Sequence, residues 1–177
     1  MKPAEAEPVK LFVAALYSEV ELLKRALTAL EERFGGIDFK SPDFEFNVTD
    51  YYREEMGQEI YRKIVSFRRL INPKDIAKIK IATNEIEDGL AADGKRKVNL
   101  DAGYLDFHKV ILASAKFNGQ KIYLDLGIYA DPTLWYEHGE FRAYRHTFPD
   151  FKTGIYNHTF LHIRALFKGQ RRQHEES

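Results

Sequence analysis

The longest uninterrupted apolar run in the chain is Leu11 to Tyr17. It falls far short of the ~20 residues that cross a bilayer as a helix. Its residues suit a strand, and a helix start follows it, so the chain opens as a soluble α+β fold. The preceding residues, Met1 to Pro8, carry acids where a secretory signal has its apolar stretch. A cytoplasmic protein with no membrane partner is the expectation. A chain of 177 residues has room for one domain. No internal repeat or low-complexity linker divides it. Residues 1–170 are expected to form a single domain, and 171–177 a flexible polar tail.

Cysteine is absent, which excludes a disulfide scaffold, a thiol nucleophile and thiolate-bound zinc or iron–sulfur centres. The 27 basic and 27 acidic side chains cancel, so the global basic excess of a nucleic-acid coat is missing. Aromatic residues reach 14% and are the compositional anomaly. Tyrosine buries a ring and keeps a hydroxyl, so it suits pocket walls as well as cores.

Ser18-Glu19-Val20-Glu21 reads as a capping box, and Val20, Leu23, Leu27, Leu30 and Phe34 give one apolar helical stripe ended by Gly35-Gly36. An extended segment from Phe39 to Val48 completes a strand–helix–strand unit. Ile60 to Leu70 alternates, with Arg62, Ser66 and Arg68 read as a basic outer face. Asn72-Pro73-Lys74-Asp75 opens a second helix with the stripe Ile76, Ile79, Thr83, Ile86 and Leu90. A short strand, Lys97 to Asp101, follows. Asn118-Gly119 predicts a hairpin joining 110–117 to 120–129, which would make Ser114 and Lys116 neighbours of Tyr123. A helix over 106–116 competes with that strand. Glu137-His138-Gly139-Glu140 marks another hairpin. Pro149-Asp150 starts a last helix, with Tyr156, Phe160, Ile163 and Phe167 inward. The expected architecture is a largely antiparallel sheet with two to three packed helices, an N-terminal strand–helix–strand unit and a C-terminal helix.

Familiar catalytic motifs are absent. Gly89 to Lys95 has the glycine-and-lysine frame of a P-loop, but Arg96 stands where a Ser or Thr must bind Mg²⁺. The segment also leaves a helix for a strand, the reverse of a phosphate-cradling loop. His158 and His162 share a helix face but lack a third ligand in sequence, so no metal is assigned. There is no Gly-x-Ser-x-Gly elbow.

Three segments concentrate chemistry. The stretch 49–57 supplies Asp50, Tyr51, Tyr52 and Glu55. The second helix and the strand after it supply Asn84, Glu85, Arg96, Asn99 and Asp101; strand neighbours Asn99 and Asp101 share a face. The meander supplies Lys109, Tyr123, Tyr129 and Asp131. Asp50, Glu85 and Asp101 are candidate bases or hydroxyl acceptors. Lys63, Arg68, Arg96 and Lys109 would neutralise an anion. Tyr52, Tyr104, Tyr123 and Tyr129 would stack or donate. This mixture points to a small anionic or nucleotide-like ligand; the residues fix neither catalysis, nor a cofactor, nor an oligomeric state. The alternative is a protein- or RNA-interaction module using an aromatic-rich sheet face, with neutral charge and the lack of an aromatic RNA-binding signature counting against RNA.

In order along the chain stand Pro8–Val13, Thr49–Tyr52 with Glu55-Met56-Gly57, Ser66-Phe67, Leu70–Pro73, Thr83–Glu87, Arg96–Leu105, Val110–Ser114, Lys121–Leu124, Gly127–Asp131 with Thr133-Leu134, and Thr147–Phe151. Together they resemble an uncharacterised prokaryotic family, domain of unknown function 4416, over nearly the whole length. Ala102 stands where that family often has proline, and Asp131 where it often has glutamate. Some members carry a GTP-binding label. The resemblance itself implies no activity, and the near-P-loop shows how such a label arises without an intact motif.

Overall fold

The computed structural model describes residues 1–57 and 59–175. Leu11–Tyr17 lies in β1 (Val9–Tyr17), and every residue of that strand is buried. Its side chains alternate between two cores, which explains an apolar run without polar alternation. Leu11, Val13 and Ala15 face one core. Phe12 and Ala14 face the other.

The remaining elements are, in chain order, α1 (Val20–Phe34), β2 (Ile37–Lys40), β3 (Phe44–Glu45), α2 (Arg53–Met56), β4 (Tyr61–Ile71), a 3₁₀ turn (Pro73–Asp75), α3 (Ile76–Leu90), β5 (Val98–Leu105), β6 (Lys109–Ser114), β7 (Ile122–Asp125), β8 (Ile128–Glu137), β9 (Glu140–Ala143), α4 (Pro149–Lys152) and α5 (Asn157–Glu175). The strands form one sheet in the order β2-β4-β1-β5-β6-β8-β7. β3 adds to β4, and β9 to β8. All pairings are antiparallel. Helices α1 and α3 cover one face. Helices α4 and α5 cover the other. Residues 171–175, within the segment expected to be a polar tail, continue α5, and 176–177 lie outside the described residues.

Several expectations are corrected. No side chain caps α1, which begins one residue after Glu19, and Val20 is exposed. Residues 109–114 are strand, which settles the competition with a helix. β6 pairs with β8, not β7, and neither Asn118 nor Gly119 takes a positive φ. The tight hairpin is instead β7–β8, turned by Leu126 and Gly127, both at positive φ. That turn fixes β7 to β8, whose other edge is already held by β6. β7 therefore ends the sheet with all four residues exposed. The hairpin at 137–140 forms as expected, with His138 and Gly139 at positive φ.

The outer face expected for β4 is a second core face. Arg62 is 1% exposed and Ser66 fully buried. The alternation of β4 is real, but α4 and α5 lie over the side carrying Arg62, Ile64 and Ser66. Only Arg68 and Arg69, at the far end of the strand, are exposed.

Gly103 governs where β5 meets β6. A Cβ there would lie 2.4 Å from the Ile111 carbonyl oxygen and 2.6 Å from the Phe12 ring. A backbone oxygen in a paired strand cannot yield as a flexible side chain would. Gly103→Ala is expected to destabilise the fold by about 1–3 kcal/mol, the usual cost of overpacking, measured by urea unfolding. An unchanged midpoint would show that the strands can separate freely there.

Candidate functional site

β5 and β6 pair only from Gly103↔Leu112 to Leu105↔Val110. Beyond Gly103 the strands part. Asn99 and Asp101 on β5 and Leu112 to Lys116 on the β6 side line a cleft of about 460 Å³ between them. The unpaired edge of β5 needs other hydrogen-bond partners. Helix α3 supplies them: Glu87 accepts from the Leu100 amide at 2.6 Å, and the Lys80 ammonium donates to the Leu100 carbonyl at 2.9 Å. Two buried charges thus stand in for a missing strand. Burial raises the Glu87 pKa, with Lys80 opposing it.

The floor of the cleft is organised by Arg62. Its guanidinium donates to Asp150 at 3.0 Å, to Asp101 at 2.9 Å and to the Ala14 carbonyl at 3.2 Å. It lies between the rings of Phe46 and Phe151, 5.3 and 5.5 Å from their centroids. Tyr156 also donates to Asp150, at 2.9 Å. Burial works against the charge of Arg62, but Asp150 and Asp101 outweigh it and hold the guanidinium protonated. Burial alone would raise the Asp101 pKa; Arg62 and then Lys80 reverse that and lower it. Tyr52, above them, is raised by burial and by Asp101.

One wall is held by Arg96. It donates to Glu55 at 3.1 Å and to the Asn99 side-chain oxygen at 3.2 Å, and lies 3.7 Å from Glu87. This pins the segment 53–56 over the cleft. At the mouth, Lys116 donates to the Tyr51 hydroxyl at 3.0 Å and sits 4.6 Å from that ring's centroid, which lowers the Tyr51 pKa. Lys121 donates to Ser114 at 2.9 Å and lies 3.5 Å from Asp131.

Among the residues expected to form the site, Tyr51, Tyr52, Asn84, Arg96, Asn99, Asp101 and Asp131 line this cleft, and Glu55 touches it through Arg96. Others lie elsewhere. Asp50 is exposed and pairs with Arg53, and Glu85 pairs with Arg33. Lys63 holds Asp43 and the Ser41 carbonyl. Tyr104 and Lys109 line a second hollow at the opposite end of the sheet. Arg68 is exposed, and its carbonyl accepts from Gln170 on α5. Tyr123 is exposed on β7, with its ring against Tyr129, and neither lines the cleft. His162 stacks on Phe39, and among the described residues no group of three or more His, Asp or Glu could hold a metal.

Arg62, Lys80, Glu87 and Phe151 also line the cleft and were not singled out as site residues. A signal for three of them is present in the sequence. Ile76, Lys80, Thr83 and Glu87 follow one helical stripe, so two charges occupy positions that should be buried. For Arg62, the signal was Ile64 on the same strand face.

A mixed sheet-and-helix protein whose sheet opens into a polar cleft is the class these features define. No helix among the described residues is long and apolar enough to cross a membrane. The chain belongs to the family described as domain of unknown function (DUF4416), whose model matches residues 7–167. Comparison with curated proteins and with solved structures finds no match.

The lowered pKa of Asp101 gives a pH signature. A carboxylate whose folded pKa lies below its unfolded value of ~3.9 stabilises the fold above that value. The contribution is lost as pH falls through the folded pKa. Asp101→Asn is therefore expected to cost about 2 kcal/mol at neutral pH. Its deficit against the wild type should close in acid, below the ordinary carboxylate range. Urea unfolding of both proteins at a series of pH values measures this; a deficit independent of pH would show that the charge of Asp101 does not matter. Glu87 acts in the opposite sense, since ionising it above its unfolded value of ~4.3 costs stability.

Proposed function

We propose that this protein binds a small anionic, nucleotide-like ligand in the cleft between β5 and β6. The observation that carries the reading is the gathering of five cations, Arg62, Lys80, Arg96, Lys116 and Lys121, around one hollow. Three of them are committed to the frame. Arg62 is bound by two carboxylates, Lys80 by the Leu100 carbonyl, and Lys121 by Ser114 and Asp131. Lys116 is different: it is exposed at the mouth, and among the described residues no carboxylate lies within ion-pair distance of it. Arg96 stands across the wall, its charge shared between Glu55 and Glu87. Lys116 with Arg96 is the pair suited to a phosphate or carboxylate.

The rest of the lining matches such a ligand. Tyr51 and Phe148 offer exposed ring surface at the rim. Asp101 and Asp131 are acceptors for hydroxyls. The volume lies within the ~300–1,000 Å³ usual for small-molecule sites. The lowered pKa of Asp101 makes it a weak proton acceptor at neutral pH, which favours recognition over base catalysis by that residue.

A thermal-unfolding panel of inorganic phosphate, ribose 5-phosphate and adenosine monophosphate tests the reading. A compound present at 1,000 times its Kd stabilises the fold by ~4 kcal/mol, a shift easily seen for a chain of this size. Lys116→Met should weaken the response at least several-fold, whereas Lys63→Met, outside the cleft lining, should not. A panel that leaves the midpoint unmoved, or a response that ignores Lys116, would overturn the assignment.

A further inference from the structure

One wall of the cleft carries a hydrogen-bond donor that makes no hydrogen bond of regular geometry. Asn99 is 4% exposed, and its buried side-chain nitrogen meets no acceptor within regular hydrogen-bond geometry, Asp101 being the carboxylate beside it. Its orientation is fixed chemically. Arg96 donates to the other amide atom of Asn99, and a guanidinium can only donate. That atom must be the oxygen, so the NH₂ group is the one left to face elsewhere. Asn99 lines the cleft. Two residues on, along the same face of β5, stands Asp101. Its carboxylate is 26% exposed and gives one oxygen to Arg62. The Asn99 nitrogen lies near enough to help keep Asp101 ionised, but outside hydrogen-bond geometry.

A donor and an ionised acceptor side by side make a defined demand. A hydroxyl meets it with one atom, accepting from the amide and donating to the carboxylate. A carbonyl or a phosphate oxygen meets only half, and would place an acceptor against Asp101. We propose that this wall is a sugar-hydroxyl subsite, so that the ligand is a phosphorylated sugar or a nucleotide held through its ribose. Asn99 and Asp101 bind the hydroxyl, and Lys116 and Arg96 the anionic group. The proposal rests on the anion-binding reading of the same cleft.

The test compares two probes by isothermal titration: ribose 5-phosphate, and cyclopentylmethyl phosphate, which keeps a five-membered ring and phosphate but lacks the hydroxyls. The wild type should bind ribose 5-phosphate at least ten-fold more tightly. Asn99→Leu, of nearly the same shape, should remove that preference while still binding the hydroxyl-free ester. A second readout uses the unaltered protein. The Asn99 side-chain amide resonance should shift with ribose 5-phosphate and not with cyclopentylmethyl phosphate, which decides the matter even if the variant fails to fold. Equal binding of both probes, or a still amide resonance, would overturn the hydroxyl subsite and leave the anion site standing. Failure of both probes and of inorganic phosphate to bind would overturn the two readings together.

Discussion

The Arg62 guanidinium ties three neighbouring strands to the helices that cover them. It sits on β4, contacts the backbone of β1 at Ala14, and binds Asp101 on β5 and Asp150 at the start of α4. A buried charge of this kind is weak evidence for added stability, because desolvation consumes much of the Coulombic gain. Its consequence is positional. Once Arg62 is buried, both carboxylates must stay with it, since loss of either leaves a buried guanidinium N–H without its acceptor. Asp101 is thereby held ionised at the cleft floor, and Asp150 fixes the C-terminal helices over the same strands. The Phe46 and Phe151 rings pack against the guanidinium, and Arg62 is 1% exposed.

The cleft follows from a second constraint, the parting of β5 from β6. Gly103 allows the strands to approach over three residue pairs, and beyond it the ladder ends. An open strand edge inside a protein needs donors and acceptors, or it closes on its neighbour. Lys80 and Glu87 meet the Leu100 carbonyl and amide at once, leaving the space across from them open. Arg96 then links Glu87 to Glu55 and draws the tyrosine-bearing segment across the top. The hollow is thus a product of charged side chains doing the work of backbone.

What the sequence made legible was local. The α3 entry at Asn72-Pro73, the hairpin at His138-Gly139 and the inward stripe of α5 all depend on residues within a turn or two of each other, and all are present. The pairing of Asn99 with Asp101 was readable for the same reason, since period two is intrinsic to a strand. Contacts across the sheet were not. Asn118-Gly119 is a strong hairpin signal by composition, yet Leu126-Gly127 makes the tight turn, because the competition is settled by which strand can claim β8. That single difference moves Tyr123 from the expected hollow to the sheet edge. For Arg62, the local pattern offers only Ile64 on the same strand face, and the helix that covers it arrives from residue 149 onward.

The same distinction separates the cleft's frame from its free groups. A charge inside a protein is informative about a ligand only after its internal obligations are subtracted. Arg62, Lys80 and Glu87 are the most buried charges of the cleft, and each is fully accounted for by backbone or by an opposite charge. The groups that remain are modest by comparison: the Asn99 amide nitrogen, the exposed side of Asp101, and Lys116 at the rim. They are a donor, an acceptor and a cation lining one cleft. A ligand that satisfies all three needs a hydroxylated body and an anionic end, while the frame's own charges are already occupied by one another and by the backbone.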